Sequence, residues 1–235
     1  MTARPQLIAF DVIETLFSLE PLRRHFTEAG LPQRAFETWF ATALRDMFAL
    51  AASQSYAPMK KLLEASLDEL CAKQGCNLDK GALIKAMGQL PPHPDVAPGI
   101  RALKDAGYRM IAVSNGAKSA TKQLLEGAGL VSAFEKLIST DDVGRAKPDA
   151  RVYLHAAREA EVEPQDLMLI ASHPWDIHGA RSAGLKAAYL DRGKPFPDFM
   201  KAPDLTAESL TDLAEQLAKL QSSGFIERTI DELTS

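Results

Sequence analysis

The chain is poor in cysteine: Cys71 and Cys76 are the only two in 235 residues. Two thiols do not make the disulfide framework of a small secreted domain. Their spacing, CAKQGC, comes with no second pair and no neighbouring histidine, which argues against a zinc site. The expectation is two reduced thiols on or just after a helix, in a cytoplasmic protein. Long hydrophobic runs are also missing, since no window approaches the ~18 uninterrupted apolar residues of a membrane span. The opening MTARPQLIAFDV enters a strand-like segment directly, without a signal peptide's long apolar stretch and small-residue cleavage site. A net charge of −4 supplies no global basic field for nucleic acid. What is present is an ordinary globular balance, 46% hydrophobic and 25% charged, with enough apolar mass for a sizeable core. Nucleic acid and membrane are thus excluded as expected partners.

Short apolar runs recur at 7–12, 110–115, 136–140, 167–172 and 187–191. Their four to six residues suit strands covered on both faces. Helical patterns at 117–128, 150–160 and 175–183 separate the later ones. Strand alternating with helix predicts an α/β fold with a doubly wound parallel sheet. One interval breaks the rhythm. Between about 19 and 90 the chain reads as amphipathic helices, near 19–29, 33–53, 58–75 and 79–89. QLPPHPDVAPG (89–99), with four prolines, reads as the linker returning to the core. The expected division is a core of 1–17 and 92–235 with an inserted helical cap of 18–91. Both connections leave the sheet at the carboxyl end of the first strand, where open α/β sheets bind ligands, so the insertion is placed to act as a lid.

Four places at strand ends stand out: Asp11 with Thr15, the Ser114-Asn115-Gly116 turn, Lys147 before Pro148, and Asp176 in SHPWD. A carboxylate nucleophile needs a nearby cation to keep it ionised, and Lys147 can supply it. It needs donors for its second oxygen and for the substrate, and Thr15, Ser114 and Asn115 are of the right type. Asp176 can pair with Lys147, hold a cation or position a water. Each also has a plainer reading, as a turn, a cap or a first-turn acid. The function lies in the set rather than in any one member.

The set resembles the haloacid dehalogenase superfamily of hydrolases, carried by FDVIETLF with Asp11 and Thr15, VSNG with Ser114, KPDARVY with Lys147, and SHPWDIHGARSAG with Asp176. Within it, SNG, KPD.RVY and the WD followed by GAR are most similar to the L-2-haloacid dehalogenases. Most phosphatases of the superfamily place a second Asp two residues after the nucleophile, to protonate a leaving alcohol. Here that residue is Ile13. A halide leaves without a proton, so the resemblance implies displacement of halide by Asp11, an ester on the enzyme, and its hydrolysis to a 2-hydroxy acid. It implies a small anionic substrate, a possible homodimer and no cofactor, with Lys147 where phosphatases use magnesium. It also implies that Tyr153 braces the site and that Asp176 orients Lys147 or the water. Two alternatives stay open: a magnesium-dependent phosphatase, with Asp11 and Asp176 holding the ion, and a non-catalytic binding homologue.

The chain departs from the dehalogenase pattern at four positions. Ile13 stands where an aromatic residue is usual, and Glu14 where Gly is usual. His173 replaces an Asn two residues before Trp175. Phe40, after Trp39, replaces the Arg that helps receive the halide. Arg45 is five residues on and about 140° further round an ideal helix. Either His173 takes over leaving-group stabilisation, or Trp39 and Phe40 line a more apolar pocket for a different substrate. On residue type alone, Trp39 and Phe40 also suit the cap's own core. His25, His93, His155 and His178 carry no assigned role.

Overall fold

The computed structural model describes residues 4–220. Six strands form one sheet: β1 (Leu7–Phe10), β2 (Arg109–Ser114), β3 (Lys136–Ser139), β4 (Leu167–Ala171), β5 (Lys186–Leu190) and β6 (Leu205–Ala207). Their order is β3-β2-β1-β4-β5-β6, and every pairing is parallel. β1 lies between β2 and β4, with Leu7 in register with Arg109 on one side and Leu167 on the other. The chain therefore winds outward from β1 in one direction and then restarts in the other. That reversal opens a crevice at the carboxyl ends of β1 and β4.

Alternation along these buried strands feeds two apolar layers. Ile8, Phe10, Met110, Ala112, Met168 and Ile170 face one side. Leu7, Ala9, Ile111, Val113, Leu167 and Leu169 face the other. The second layer is closed by α7 (Ala150–Glu159) and α8 (Pro174–Ser182). The first is closed by α5 (Val96–Asp105), α6 (Lys118–Gly127) and a last helix, α9 (210–220), and continues into the helices between β1 and β2. These are α1 (Arg23–Glu28), α2 (Ala35–Ala52), α3 (Met59–Gln74) and α4 (Lys80–Met87). α2 and α3 pack on each other through their apolar stripes, with Trp39, Ala43 and Met47 meeting Leu63, Leu67 and Leu70 in the same core. Trp39 Nε1 donates to the Leu63 carbonyl at 2.9 Å, which satisfies the one polar atom of a fully buried ring.

The two connections run side by side. Ser18 N donates to the Pro91 carbonyl at 3.0 Å and His93 N to the Leu16 carbonyl at 2.9 Å. Three expectations need correction. The proline-rich return is shorter than 89–99, because α5 already starts at Val96. Pro98 falls in its first turn, where the missing N–H has no helical partner to lose. The two cysteines are bonded to each other rather than free. Gly75 ends α3 with φ +66°, so the chain turns back over the last helical turn and brings the Cys71 and Cys76 Cα atoms to 4.7 Å. β6 went unanticipated, being a three-residue edge strand too short to show a period. The segment 221–235, read as a loose end or a docking helix, lies outside the described residues.

Candidate active site

Asp11 follows directly on β1, and its backbone N–H donates to the Ile170 carbonyl at 3.0 Å, fixing it against β4. Its carboxylate is 6% exposed. Burying an unpaired carboxylate is costly, so its partners matter. Lys147 Nζ donates to Asp11 Oδ1 at 2.9 Å and to Asp176 Oδ2 at 2.6 Å, and is itself fully buried. Thr15 Oγ1 donates to Asp11 Oδ2 at 2.7 Å. That hydroxyl in turn accepts from Ser172 N at 2.9 Å, tying the turn after β1 to the end of β4. Asp176, in the first turn of α8, has its other oxygen Oδ1 held by Tyr153 OH at 2.5 Å.

Local sequence explains why these groups meet. The Lys147–Pro148 peptide is cis, and Lys147 N donates to Asn115 Oδ1 at 2.9 Å, so the β2 turn anchors the lysine's backbone. Gly179 lets α8 approach closely: a Cβ there would sit 2.6 Å from Tyr153 Oη and 2.5 Å from Pro148 Cβ. Ser114 Oγ accepts from Gly116 N at 2.9 Å, which leaves its hydroxyl proton free to donate toward a ligand.

The electrostatics follow from this geometry. Burial alone would raise the Asp11 pKa, but the Lys147 ammonium and His173 outweigh it and hold the carboxyl well below the usual range. Burial alone would lower the Lys147 pKa, but Asp11 and Asp176 raise it, so the lysine stays charged. For Asp176 burial prevails and the pKa is raised, with Lys147 acting against it.

A second cluster flanks the nucleophile position. His173 Nδ1 lies 3.4 Å from Asp11 Oδ2, and His173 Nε2 meets Glu14 Oε2 at 2.9 Å. Lys194 Nζ donates to the same Glu14 oxygen at 3.1 Å. Burial would lower the His173 pKa, yet the carboxylates of Asp11 and Glu14 raise it to about 9. Trp175 stacks on the His173 ring at 5.2 Å. The Glu14 charge therefore does not face a ligand unopposed. Glu14 holds φ +62°, a left-handed conformation that costs a non-glycine residue about 1–2 kcal/mol. Neither Lys194 nor the Glu14 pairing was foreseen. The one signal in the sequence was that Glu14 and His173 both depart from the usual residues.

Above these groups lies a cavity of about 310 Å³. Asp11, Ile13, Ser114, Asn115, His173 and Trp175 line its floor, and the first turn of α6 lines one wall. Phe40, Leu44, Met59, Leu63, Ile84 and Met87 come from the inserted helices. Of the two aromatic candidates on α2, Phe40 reaches the cavity, whereas Trp39 belongs to the core of the insertion. Arg45 is surface-exposed and paired with Asp46 and Glu69. Thr15, Lys147, Asp176 and Tyr153 sit beneath the floor. Among the described residues, no group of three or more His, Cys, Asp or Glu side chains is arranged to hold a metal ion.

The class defined by fold and site is a parallel α/β protein that presents an ionised aspartate, at the tip of its central strand, to a cavity roofed by inserted helices. Residues 5–184 match the family model of the haloacid dehalogenase-like hydrolases, and the chain belongs to that family. An (S)-2-haloacid dehalogenase of Pseudomonas sp. (strain YL) is 29% identical over 214 residues, which span 88% of this chain and 92% of the relative. A solved L-2-haloacid dehalogenase is 32% identical with a TM-score of 0.77, covering 91% of this chain and 99% of that one. The Xanthobacter autotrophicus L-2-haloacid dehalogenase, solved with chloropropionic acid covalently bound, shares the fold at 22% identity and a TM-score of 0.82, covering 90% of this chain and 97% of that one.

Proposed function

We propose that this chain is a metal-independent 2-haloacid dehalogenase acting through an ester on Asp11. The observation that carries the proposal is the Lys147 ammonium between Asp11 and Asp176, at 2.9 and 2.6 Å, above which the residue two after the nucleophile is the apolar Ile13. The ammonium fills the space a divalent ion would need, and Ile13 offers no proton to a leaving alkoxide. Asp11 attacks C2 and the halide departs. Lys147 and Thr15 hold the carboxylate oriented, while Asp176 and Tyr153 hold Lys147. Ser114, Asn115 and the open amides at the start of α6 receive the substrate carboxylate; that helix has no side-chain cap, and its positive end favours an anion.

The wall formed by Phe40, Leu44, Met59 and Met87 takes the substituent on C2, so the preferred substrates carry an alkyl or aryl group rather than being haloacetates. Residues 1–17 and 92–235 form the catalytic core, and 18–91 the cap that excludes water. The test is halide release from a panel of 2-chloro- and 2-bromoalkanoates, with and without a chelator. We expect release by the wild type in both conditions and none by Asp11→Asn. No release from any member sinks the proposal. Chelator-sensitive hydrolysis of an aryl phosphate in its place would establish the phosphatase reading.

A further inference from the structure

Ester hydrolysis needs a base for the attacking water, and Asp176 is poorly placed for it. It is fully buried, its Oδ2 is taken by Lys147 and its Oδ1 by Tyr153, and it does not line the cavity. His173 does line the cavity. Its Nδ1 is buried, has no hydrogen-bond partner and faces Asp11. An unpartnered buried nitrogen aimed at the reacting carboxyl calls for an explanation. We propose that His173, oriented by Glu14, is the general base of the second half-reaction, its Nδ1 taking a proton from the water that attacks the Asp11 ester. This rests on the dehalogenase reading above.

Glu14 sets the tautomer. With Nε2–H donating to Glu14 Oε2 at 2.9 Å, the neutral ring turns its lone pair at Nδ1 toward Asp11. The left-handed backbone at Glu14, unusual for a non-glycine residue, is what the chain accepts to place that carboxylate there. The charged groups around His173 are few: Asp11 and Glu14 in contact, Lys147 on the far side of Asp11, and Lys194 on Glu14. His93 meets the Glu14 carbonyl and Arg192 the Thr15 carbonyl.

The protons balance. Displacement forms the bond from Asp11 oxygen to C2 and breaks the carbon–halogen bond, whose electron pair leaves with the halide. Asp11 is then neutral, so His173 loses one of its two anionic partners and gives up its Nδ1 proton to solvent, the one proton released per turnover. Water attacks Asp11 Cγ, and its proton passes to Nδ1. As the tetrahedral intermediate collapses, the bond from Cγ to the substrate oxygen breaks, and the alkoxide takes the remaining hydroxyl proton. The 2-hydroxy acid, the Asp11 carboxylate and cationic His173 result. The raised pKa of His173 with both carboxylates ionised fits that starting state.

The experiment uses a 2-haloacid that the wild type turns over, with His173→Gln and Glu14→Gln compared by quenched-flow halide release and intact-protein mass. For His173→Gln we expect a burst of about one halide per enzyme, an adduct accumulating on Asp11, and kcat lower by about 10²-fold. For Glu14→Gln we expect a smaller loss of kcat and an acid limb of kcat displaced to lower pH, because the histidine has lost an anionic partner. If His173→Gln turns over like the wild type, or loses burst and turnover together so that the histidine serves the leaving halide instead, the proposal is wrong while the dehalogenase reading stands. An unmoved acid limb in Glu14→Gln also overturns it. A wild type that releases no halide overturns both.

Discussion

The floor and the roof of the cavity are built on opposite principles. Beneath the floor, Asp11, Lys147, Asp176, Tyr153 and Thr15 form a buried polar network joined at 2.5 to 2.9 Å. Such a network tolerates little, because removing one member leaves another buried and unpaired. The roof is apolar side chains on helices, where substitutions of similar volume are accommodated. The difference assigns reactivity to the floor and substrate choice to the roof.

The strongest way to break this contrast is Lys147→Met. It leaves two carboxylates buried with no cation between them, so we expect a stability loss of about 3–5 kcal/mol, read as a lower denaturation midpoint, together with lost halide release. A near-normal midpoint would mean that the floor is not the interdependent unit described. A milder probe is pH. The folded pKa of His173 is about 9, above its ordinary value of 6.5. Its contribution to stability is therefore fully present below the ordinary value and fades as the pH rises through the folded one. Denaturation across the neutral to alkaline range should show wild-type stability falling by an amount on the order of a few kcal/mol. His173→Gln should flatten the curve, and parallel curves would remove the histidine from the charged floor. The smallest expected effect is on the roof. Each methylene added at C2 should raise kcat/KM by about fourfold until the cavity fills. Phe40→Ala should lower it by about tenfold for long-chain substrates and leave bromoacetate almost unaffected. Equal losses on both would show that Phe40 serves the chemistry instead.

Much of the floor was legible before the fold was known, because each member sits at a strand end and is marked by residue type. Asp11, Ser114, Lys147 and Asp176 fall at one sheet rim once the strands are placed in parallel. Trp39 and Phe40 were not separable in the same way: neighbours on a helix point about 100° apart, and only the packing of α2 on α3 decides which faces the cavity. Glu14 was visible as an oddity, but its meaning depended on His173 and Lys194, which are 159 and 180 residues away in the chain. The Cys71–Cys76 bond escaped because it depends on a left-handed turn at Gly75 rather than on the count of thiols.

The sequence by itself determined the alternation of buried strands and helices, the place of the helical insertion, and the presence of a carboxylate with no acid two residues on. These are local, since periodicity and strand-end chemistry are written in consecutive residues. Tertiary structure alone decided that one ammonium serves two carboxylates, that Asp176 is spent on holding it, and that a histidine nitrogen is left facing Asp11. Those outcomes depend on distances between segments far apart in the chain, which no local pattern encodes.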